Sequence, residues 1–299
     1  MRRYANILLD ETFKVVLCDP SNKQLFMDMI ELLVHKKLSD LVFLNIEQHG
    51  LAISDKNSNF DMLCKAADTG EEFIVEVQNR KQISFPDRML CYATFPIRIQ
   101  LAEKRELLMK LAGGELEVEK MDYSLRPVYV ISIIDFALKH ENDDVLEEGL
   151  ISRYSIREDA SGELMTDALH FVFLELGRLR ISDKESDKCE TLLERFAWSW
   201  KYMHMLDDIP SSFQDPLVLN LFHATEYASL PIEKQQQYNK AMTTELDIIA
   251  QRNYAIQQSK AEGKAEGKAE TARNLKGMGV DPETISKATG LSLDELNRL

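Results

Sequence analysis

The segment Pro127–Phe136 carries Val128, Val130, Ile131, Ile133 and Ile134 in a nearly unbroken apolar run. A strand with one wet face would alternate polar and apolar residues. This one does not, so it reads as a strand buried on both faces, the pattern of an α/β protein. The remaining periodicities fit around it. Residues 10–37 read as helix, with Phe13, Val16 and Leu17, then Leu25, Phe26, Met29, Ile30 and Leu33, at helical spacing around a break at Asp19-Pro20-Ser21-Asn22. Strands are predicted over Leu41–Gln48, Ser58–Ala66 and Glu72–Asn79, the last two joined by a turn at Ala67–Glu71. A long helix is predicted over Ser84–Leu111, further strands over Ile151–Ile156 and Leu169–Leu176, and helices over about 185–206, 213–229 and 231–260. Helix, three strands, helix, strand is the order of an α/β/α sandwich with a mixed central sheet.

Composition narrows the class. The chain has 299 residues, 44% of them apolar, enough for a cored globular protein. No apolar run reaches the roughly 18 residues of a membrane span, and Asp10 and Glu11 interrupt any signal-peptide pattern after Met1-Arg2-Arg3-Tyr4. Cys18, Cys64, Cys91 and Cys189 lie far apart without a paired motif and read as reduced thiols of a cytoplasmic protein. The net charge of −14 argues against a nucleic-acid partner, but its distribution is uneven. Residues 1–110 carry 15 Lys+Arg against 16 Asp+Glu, a balance of −1; residues 111–299 carry 21 against 34, a balance of −13. With no strongly basic stripe, affinity for DNA is expected to be modest without a metal or a partner.

The C-terminal part reads differently. Lys260-Ala261-Glu262-Gly263 recurs at 264–267 and continues as Lys268-Ala269-Glu270. The four-residue period stacks like charges at i,i+4 and places no opposite pair at i,i+3 or i,i+4. Each glycine costs about 1 kcal/mol in a helix, so 260–270 is expected to be a marginal helical tether. Beyond it, Asp281-Pro282 is an N-cap followed by proline, Gly290 is a natural helix stop, and Ser292-Leu293-Asp294-Glu295 is a capping-box pattern. Residues 271–299 thus read as a small helix-turn-helix-like module. Its basic residues Arg273, Lys276, Lys287 and Arg298 only balance Asp281, Glu283, Asp294 and Glu295, which favours protein interaction or weak DNA docking. The expected organisation is an α/β core over 1–180, a helical extension over 181–259, the tether over 260–270 and the module over 271–299.

Two carboxylates draw attention to the hairpin. Asp61 lies in Asn59-Phe60-Asp61-Met62-Leu63 and Glu76 in Ile74-Val75-Glu76-Val77-Gln78. A turn centred on Asp68-Thr69 places Asp61 opposite Glu76 or one residue off, with Cβ atoms roughly 5 Å apart. Two carboxylates so close repel unless a cation lies between them, and a divalent ion with oxygen ligands answers that need. Gln78 shares the face of Glu76, while Phe73, Val75 and Val77 take the apolar face. Asp61 and Glu76 would hold Mg²⁺ or Mn²⁺, Gln78 would hydrogen-bond a water or a phosphate oxygen, and Asp10 would add an acidic or metal-orienting group, the set required for phosphodiester hydrolysis. A strand carboxylate is more often a solvated surface residue, so spacing alone leaves the site open. Trp198, Trp200 and Tyr202 read as packing aromatics, and the six histidines form no metal spacing.

Several motifs, in this order, resemble the Rpn-type recombination-promoting nucleases, a PD-(D/E)XK family of transposase-like proteins. Asp10-Glu11-Thr12-Phe13-Lys14 is similar to the family's D-x-x-F-K opening. Asn59–Leu63 resembles its aspartate strand, Glu76-Val77-Gln78 its E-x-Q element, and Arg88–Tyr92 its R-x-x-x-Y helix. Phe173-Leu174-Glu175-Leu176, Trp198–Tyr202 and the Lys-Ala-Glu-Gly repeats before Ala288-Thr289-Gly290-Leu291-Ser292 resemble later family elements. The resemblance implies a restriction-endonuclease-like core, a divalent metal and cleavage of DNA linked to recombination or mobile elements. By position it makes Asp61, Glu76, Gln78 and Asp10 catalytic, with Lys14, Arg88 and Tyr92 as candidate phosphate contacts; for Arg88 and Tyr92, packing against the sheet is the competing reading. Gln78 stands where the wider superfamily has lysine, and glutamine brings no charge. Expected partners are DNA and, in a homo-oligomer, further copies of the chain, with no membrane. An active endonuclease, a catalytically weak DNA-binding or assembly protein, and a structural protein with surface carboxylates remain distinct outcomes.

Overall fold

The computed structural model describes residues 2–44, 61–111, 123–140 and 149–299. They form two compact units, 1–241 and 242–299. The first is built on a six-stranded sheet whose order, in chain numbering, is β1-β2-β3-β4-β6-β5. The strands are β1 Leu41–Phe43, β2 Met62–Ala66, β3 Glu72–Gln78, β4 Val128–Ile134, β5 Ile151–Ser155 and β6 Leu169–Glu175. Pairs β1–β2, β2–β3 and β5–β6 are antiparallel, whereas β3–β4 and β4–β6 are parallel, so the sheet is mixed. β4 is buried along its whole length, as its unbroken apolar sequence demands.

Helices cover both faces. On one side α1 (Asp10–Leu17), α2 (Lys23–Val34), α4 (Leu192–Tyr202) and α5 (Pro216–Thr225) bury Phe13, Phe26, Trp198, Trp200 and Phe222 in one cluster with Phe73, Val75, Val77, Tyr129 and Ile131 of the sheet. On the other side α3 (Phe85–Leu111) packs Phe85, Met89 and Ala93 against Leu63, Ile74, Val130 and Phe173. The alternation of β3 therefore sends Phe73, Val75 and Val77 to one layer and Ile74 to the other. This is the α/β/α sandwich expected from the sequence.

Several boundaries differ from expectation. The strands foreseen over Leu41–Gln48 and Ser58–Ala66 are seen at Leu41–Phe43 and Met62–Ala66, and residues 45–60 lie outside the described residues. The helix foreseen over 185–206 begins only at Leu192, because Thr191 and Glu194 form a reciprocal capping box there. The helix foreseen over 213–229 is α5 Pro216–Thr225, fixed at its start by proline after Asp215. No core boundary falls at residue 180: α4 and α5 share the apolar cluster of α1 and α2, so the extension completes the sandwich layer. Gly177 makes one close approach possible, since a Cβ there would lie 2.4 Å from the Phe136 carbonyl carbon.

The Lys-Ala-Glu-Gly segment is not a break. α6 runs from Ile232 to Gly277, through Gly263 and Gly267, and the boundary between the units falls within it. Alanine and the long lysine and glutamate side chains favour helix strongly enough to outweigh two glycines at about 1 kcal/mol each. In the second unit Ala272 of α6 is buried with Ile285 of α7 (Pro282–Thr289) and Leu296 of α8 (Leu293–Asn297). Gly290 caps α7 in the left-handed conformation, and Ser292 and Glu295 form the foreseen capping box. Among the described residues, no helix is long and apolar enough to cross a membrane.

Candidate active site

Asp61 stands immediately before β2, where Met62 pairs with Val75. Its side chain reaches over the end of the hairpin. The Val77 N–H donates to Asp61 Oδ2 at 2.8 Å, and the Asp61 N–H donates to Glu76 Oε2 at 3.1 Å. Each carboxylate thus grips the other strand, and the clasp holds both groups at the same end of the sheet. Both residues are buried, Asp61 at 9% and Glu76 at 4% exposure. Sequence alternation places Glu76 on the side of β3 that faces α3, together with Ile74 and Gln78.

Helices on both layers answer these charges. From α1, Lys14 Nζ lies 3.2 Å from Asp61 Oδ1 and 2.5 Å from Asp10 Oδ1. From the first turn of α3, Arg88 Nη2 lies 3.3 Å from Glu76 Oε1 and also donates to Gln78 Oε1. The Arg88 guanidinium rests over the rings of Phe85 and Tyr92, at 5.9 and 5.6 Å from their centroids. Tyr92 is itself 8% exposed and belongs to the α3 core cluster. Asp10, Asp61, Glu76, Lys14, Gln78 and Arg88 therefore converge. Arg88 lies against the carboxylates as a counter-charge, and Tyr92 supports it from beneath.

Among the described residues, three carboxylates meet two cations here, one positive charge short, and proton affinities register this. Burial, the hydrogen bond with Asp10 and the charges of Glu76 and Asp10 push Asp61 up to about 9. Burial also pushes Glu76 up to about 7, against the opposing pull of Arg88. Burial acts on Asp10 in the same direction, but its hydrogen bonds with Asp61 and Lys14 outweigh it and hold Asp10 below its ordinary value. For Lys14, burial disfavours the ammonium, yet Asp10 and Asp61 outweigh burial and raise its pKa. These shifts favour a proton on Asp61, where a cation would serve as well.

The donor set suits a hard divalent ion. Such ions take oxygen ligands, and Mg²⁺ commonly binds through one or two carboxylates while retaining waters. Asp61 and Glu76 provide that pair. Among the described residues no group of three or more His, Cys, Asp or Glu side chains is arranged to hold a metal, so water or substrate would complete the shell. The sequence did not disclose the Lys14–Asp61 contact or the bracing of Arg88 by Gln78, because both depend on how α1 and α3 pack across the sheet. The i,i+4 spacing of Asp10 and Lys14 was the available signal for the first.

No curated protein and no solved structure matches the chain. A family model described as PD-(D/E)XK nuclease family transposase matches residues 7–255. That span takes in α1, the β2–β3 hairpin, α3 and the rest of the sandwich, and nucleases of this superfamily generally use divalent metal ions. With a mixed sheet between helical layers and a paired Asp and Glu clasped at its end, the chain belongs to the PD-(D/E)XK nuclease family transposases.

Proposed function

We propose that the protein is a metal-dependent DNA endonuclease that hydrolyses phosphodiester bonds at Asp61 and Glu76, in a role linked to recombination or mobile elements. The observation that carries the proposal is the reciprocal clasp of two buried carboxylates whose shared environment is one positive charge short. Asp61 and Glu76 hold the ion, Mg²⁺ or Mn²⁺, which supplies water activation and charge stabilisation at the phosphoryl group when bound. Asp10 and Lys14 orient Asp61: Lys14 bridges both carboxylates, and Asp10 takes the Asp61 proton in a hydrogen bond. Gln78 positions Arg88, whose permanent charge stands beside Glu76 and compensates for the absence of a lysine at position 78. Lys14 and Arg88 are the cations nearest the carboxylates and become available to a phosphate when an ion takes over the neutralisation.

A second reading rests on a specific feature of the same geometry. All four oxygens of Asp61 and Glu76 already have partners: Lys14, the Val77 N–H, Arg88 and the Asp61 N–H. A pair whose every oxygen is already engaged within the chain also suits a protein that binds DNA or assembles on it while cutting weakly. Nicking of supercoiled plasmid by the full chain, with Mg²⁺, Mn²⁺ or chelator, separates the two. Metal-dependent nicking lost in Asp61→Asn supports the endonuclease; DNA binding without nicking in any metal overturns it in favour of the second reading.

A further inference from the structure

A row of stacked rings crosses the sheet on the face that carries α1 and α2. The register pairs Phe73 of β3 with Tyr129 of β4, and Tyr129 with His170 of β6. Phe73 and Tyr129 stack with centroids 5.3 Å apart and planes 15° apart; Tyr129 and His170 stack at 4.7 Å and 11°. Strands lie roughly 4.8 Å apart, so one ring per strand makes a continuous pile. The row stops at the margin. On β5 the partner of His170 is Ser155, whose short side chain leaves the outer face of the imidazole uncovered by any ring of the row.

Basic side chains stand beside that face. Arg153 and Arg157 lie two residues to either side of Ser155, roughly 7 Å along an extended chain and on the same face. Arg157 is held in place, with Nε donating to Ser155 Oγ at 2.8 Å and Nη1 donating to the Gly162 carbonyl at 2.8 Å. Lys36, just past α2, sets Nζ 4.9 Å over the Tyr129 ring. The His170 ring is fixed through Nε2, 3.0 Å from the Asp167 carbonyl and 2.9 Å from its carboxylate. These residues line one cavity of about 390 Å³, a volume in the range of small-ligand sites. Arg153, Arg157 and Lys36, the last paired with Glu71 at 2.6 Å, share this wall with Asp167.

We infer that this margin of the sheet binds a nucleotide, with its base stacked on His170 above Ser155 and its phosphate between Arg153 and Arg157. A simple anion would use the arginines and leave the stacked face idle. An aromatic side chain of another protein would use the face and make no use of the arginines. A nucleotide uses both, since stacking on an aromatic ring and neutralisation by basic side chains are the two components of sequence-tolerant nucleic-acid binding. The same chemistry is offered by a free nucleotide and by a nucleotide within a single strand. The site is independent of the nuclease proposal: it lies on the other face of the sheet from Glu76 and about 10 Å from it along the strands.

Calorimetric titration of the full chain tests this with four probes: deoxyadenosine monophosphate, deoxyadenosine, inorganic phosphate and a short oligodeoxyadenylate. The expected result is binding of the nucleotide probes, with nucleoside and phosphate each weaker by about tenfold or more. Affinity rising markedly from mononucleotide to oligomer assigns the source to a strand, and equal affinity assigns it to free nucleotide. Ser155→Phe puts a protein ring on His170 and is expected to reduce binding about tenfold without lowering the melting temperature. Arg153→Glu with Arg157→Glu, on exposed positions, should do the same. The inference is overturned if no probe binds at millimolar concentration, if phosphate binds as well as the nucleotide, or if both variants bind unchanged.

Discussion

Glu175 and the Asp61–Glu76 pair stand at the same end of the sheet, on either side of β4: Ile134 pairs with Gln78 in one direction and with Glu175 in the other. Both are buried, but they are answered differently. Glu175 is wholly buried and accepts from the Leu138 N–H at 2.8 Å, Ser152 Oγ at 2.8 Å and Arg178 Nε at 2.7 Å, with His140 Nε2 at 2.6 Å. One carboxylate meets one guanidinium and a full set of donors, and the result ties 138–140, β5 and the turn after β6 together. Around Asp61 and Glu76 three carboxylates share two cations and two backbone donors. A buried carboxylate with its donors complete is a strut. On the proposed reading, a pair left short of positive charge is where the cation would bind.

The sharpest way to break this contrast is to neutralise each side. Glu175→Gln or Glu175→Ala should destabilise the fold by about 3–5 kcal/mol, because the wholly buried carboxylate that joins Leu138, Ser152 and Arg178 is lost, and denaturant unfolding measures it. Asp61→Asn and Glu76→Gln should do the reverse in metal-free protein. Removing one of two facing carboxylates relieves repulsion, so the melting temperature should hold or rise, while nicking falls by about a thousandfold or more. An amide at 61 or 76 that cuts normally, or that unfolds the chain as Glu175→Gln does, would erase the distinction.

Metal should sharpen the same comparison. An ion that binds only the folded state stabilises it by about 2.7 kcal/mol at a hundred times its dissociation constant. Thermal melting in Mn²⁺ should therefore rise for the unaltered chain and stay flat for Asp61→Asn. A substitution of Ser152, in the Glu175 cluster, should leave the rise intact. Equal rises in both variants would place the ion elsewhere.

What the sequence disclosed and withheld follows from the range of each interaction. The buried run of β4, the helical stripes of α1 to α3 and the turn after Ala66 are local patterns, and they fixed the sandwich. The hairpin register also came from local arithmetic, with Met62 opposite Val75 as the turn required. Glu175 was visible only as part of an apolar strand, because its four partners come from segments up to 37 residues away. The row Phe73–Tyr129–His170 depends on the order of three strands, which no single segment specifies. Residues 260–270 are helical, as expected, and α6 continues past them to Ala272, which packs against Ile285 and Leu296.

Proton linkage offers a smaller effect with a definite sign. Asp61 is raised to about 9 and Glu76 to about 7, both above ordinary carboxylate values. A group whose folded pKa is raised contributes stability that is present in full below its unfolded value and is lost as pH rises through the folded one. Metal-free protein should therefore lose stability between about pH 4 and pH 9. Melting curves across that window check it. Asp61→Asn should flatten the slope, and addition of Mn²⁺ should do so too, since the ion takes the place of the proton.

The smallest effect concerns Gln78, and its interpretation turns on Arg88. Gln78 Oε1 accepts from Arg88 Nη2, and the same nitrogen lies 3.3 Å from Glu76 Oε1, so one guanidinium is held by two side chains on one face of β3. If Gln78 acts by bracing that guanidinium, Gln78→Ala should lower the nicking rate by about tenfold, far less than Asp61→Asn, since a single hydrogen bond to a charged group contributes about 1.5–3 kcal/mol. Arg88→Ala should cost at least as much, and the double variant should cost no more than Arg88→Ala alone, because the second change removes a brace with nothing left to hold. Gln78→Lys adds the decisive arm. An ammonium at position 78 supplies the charge directly, so activity should be retained or raised, and Arg88→Ala should then do little harm in that background. Additive losses in the double variant would give Gln78 a role of its own toward water or phosphate. Loss of nicking in Gln78→Lys with Mn²⁺ affinity unchanged would show that geometry at this position, and not charge, sets the rate.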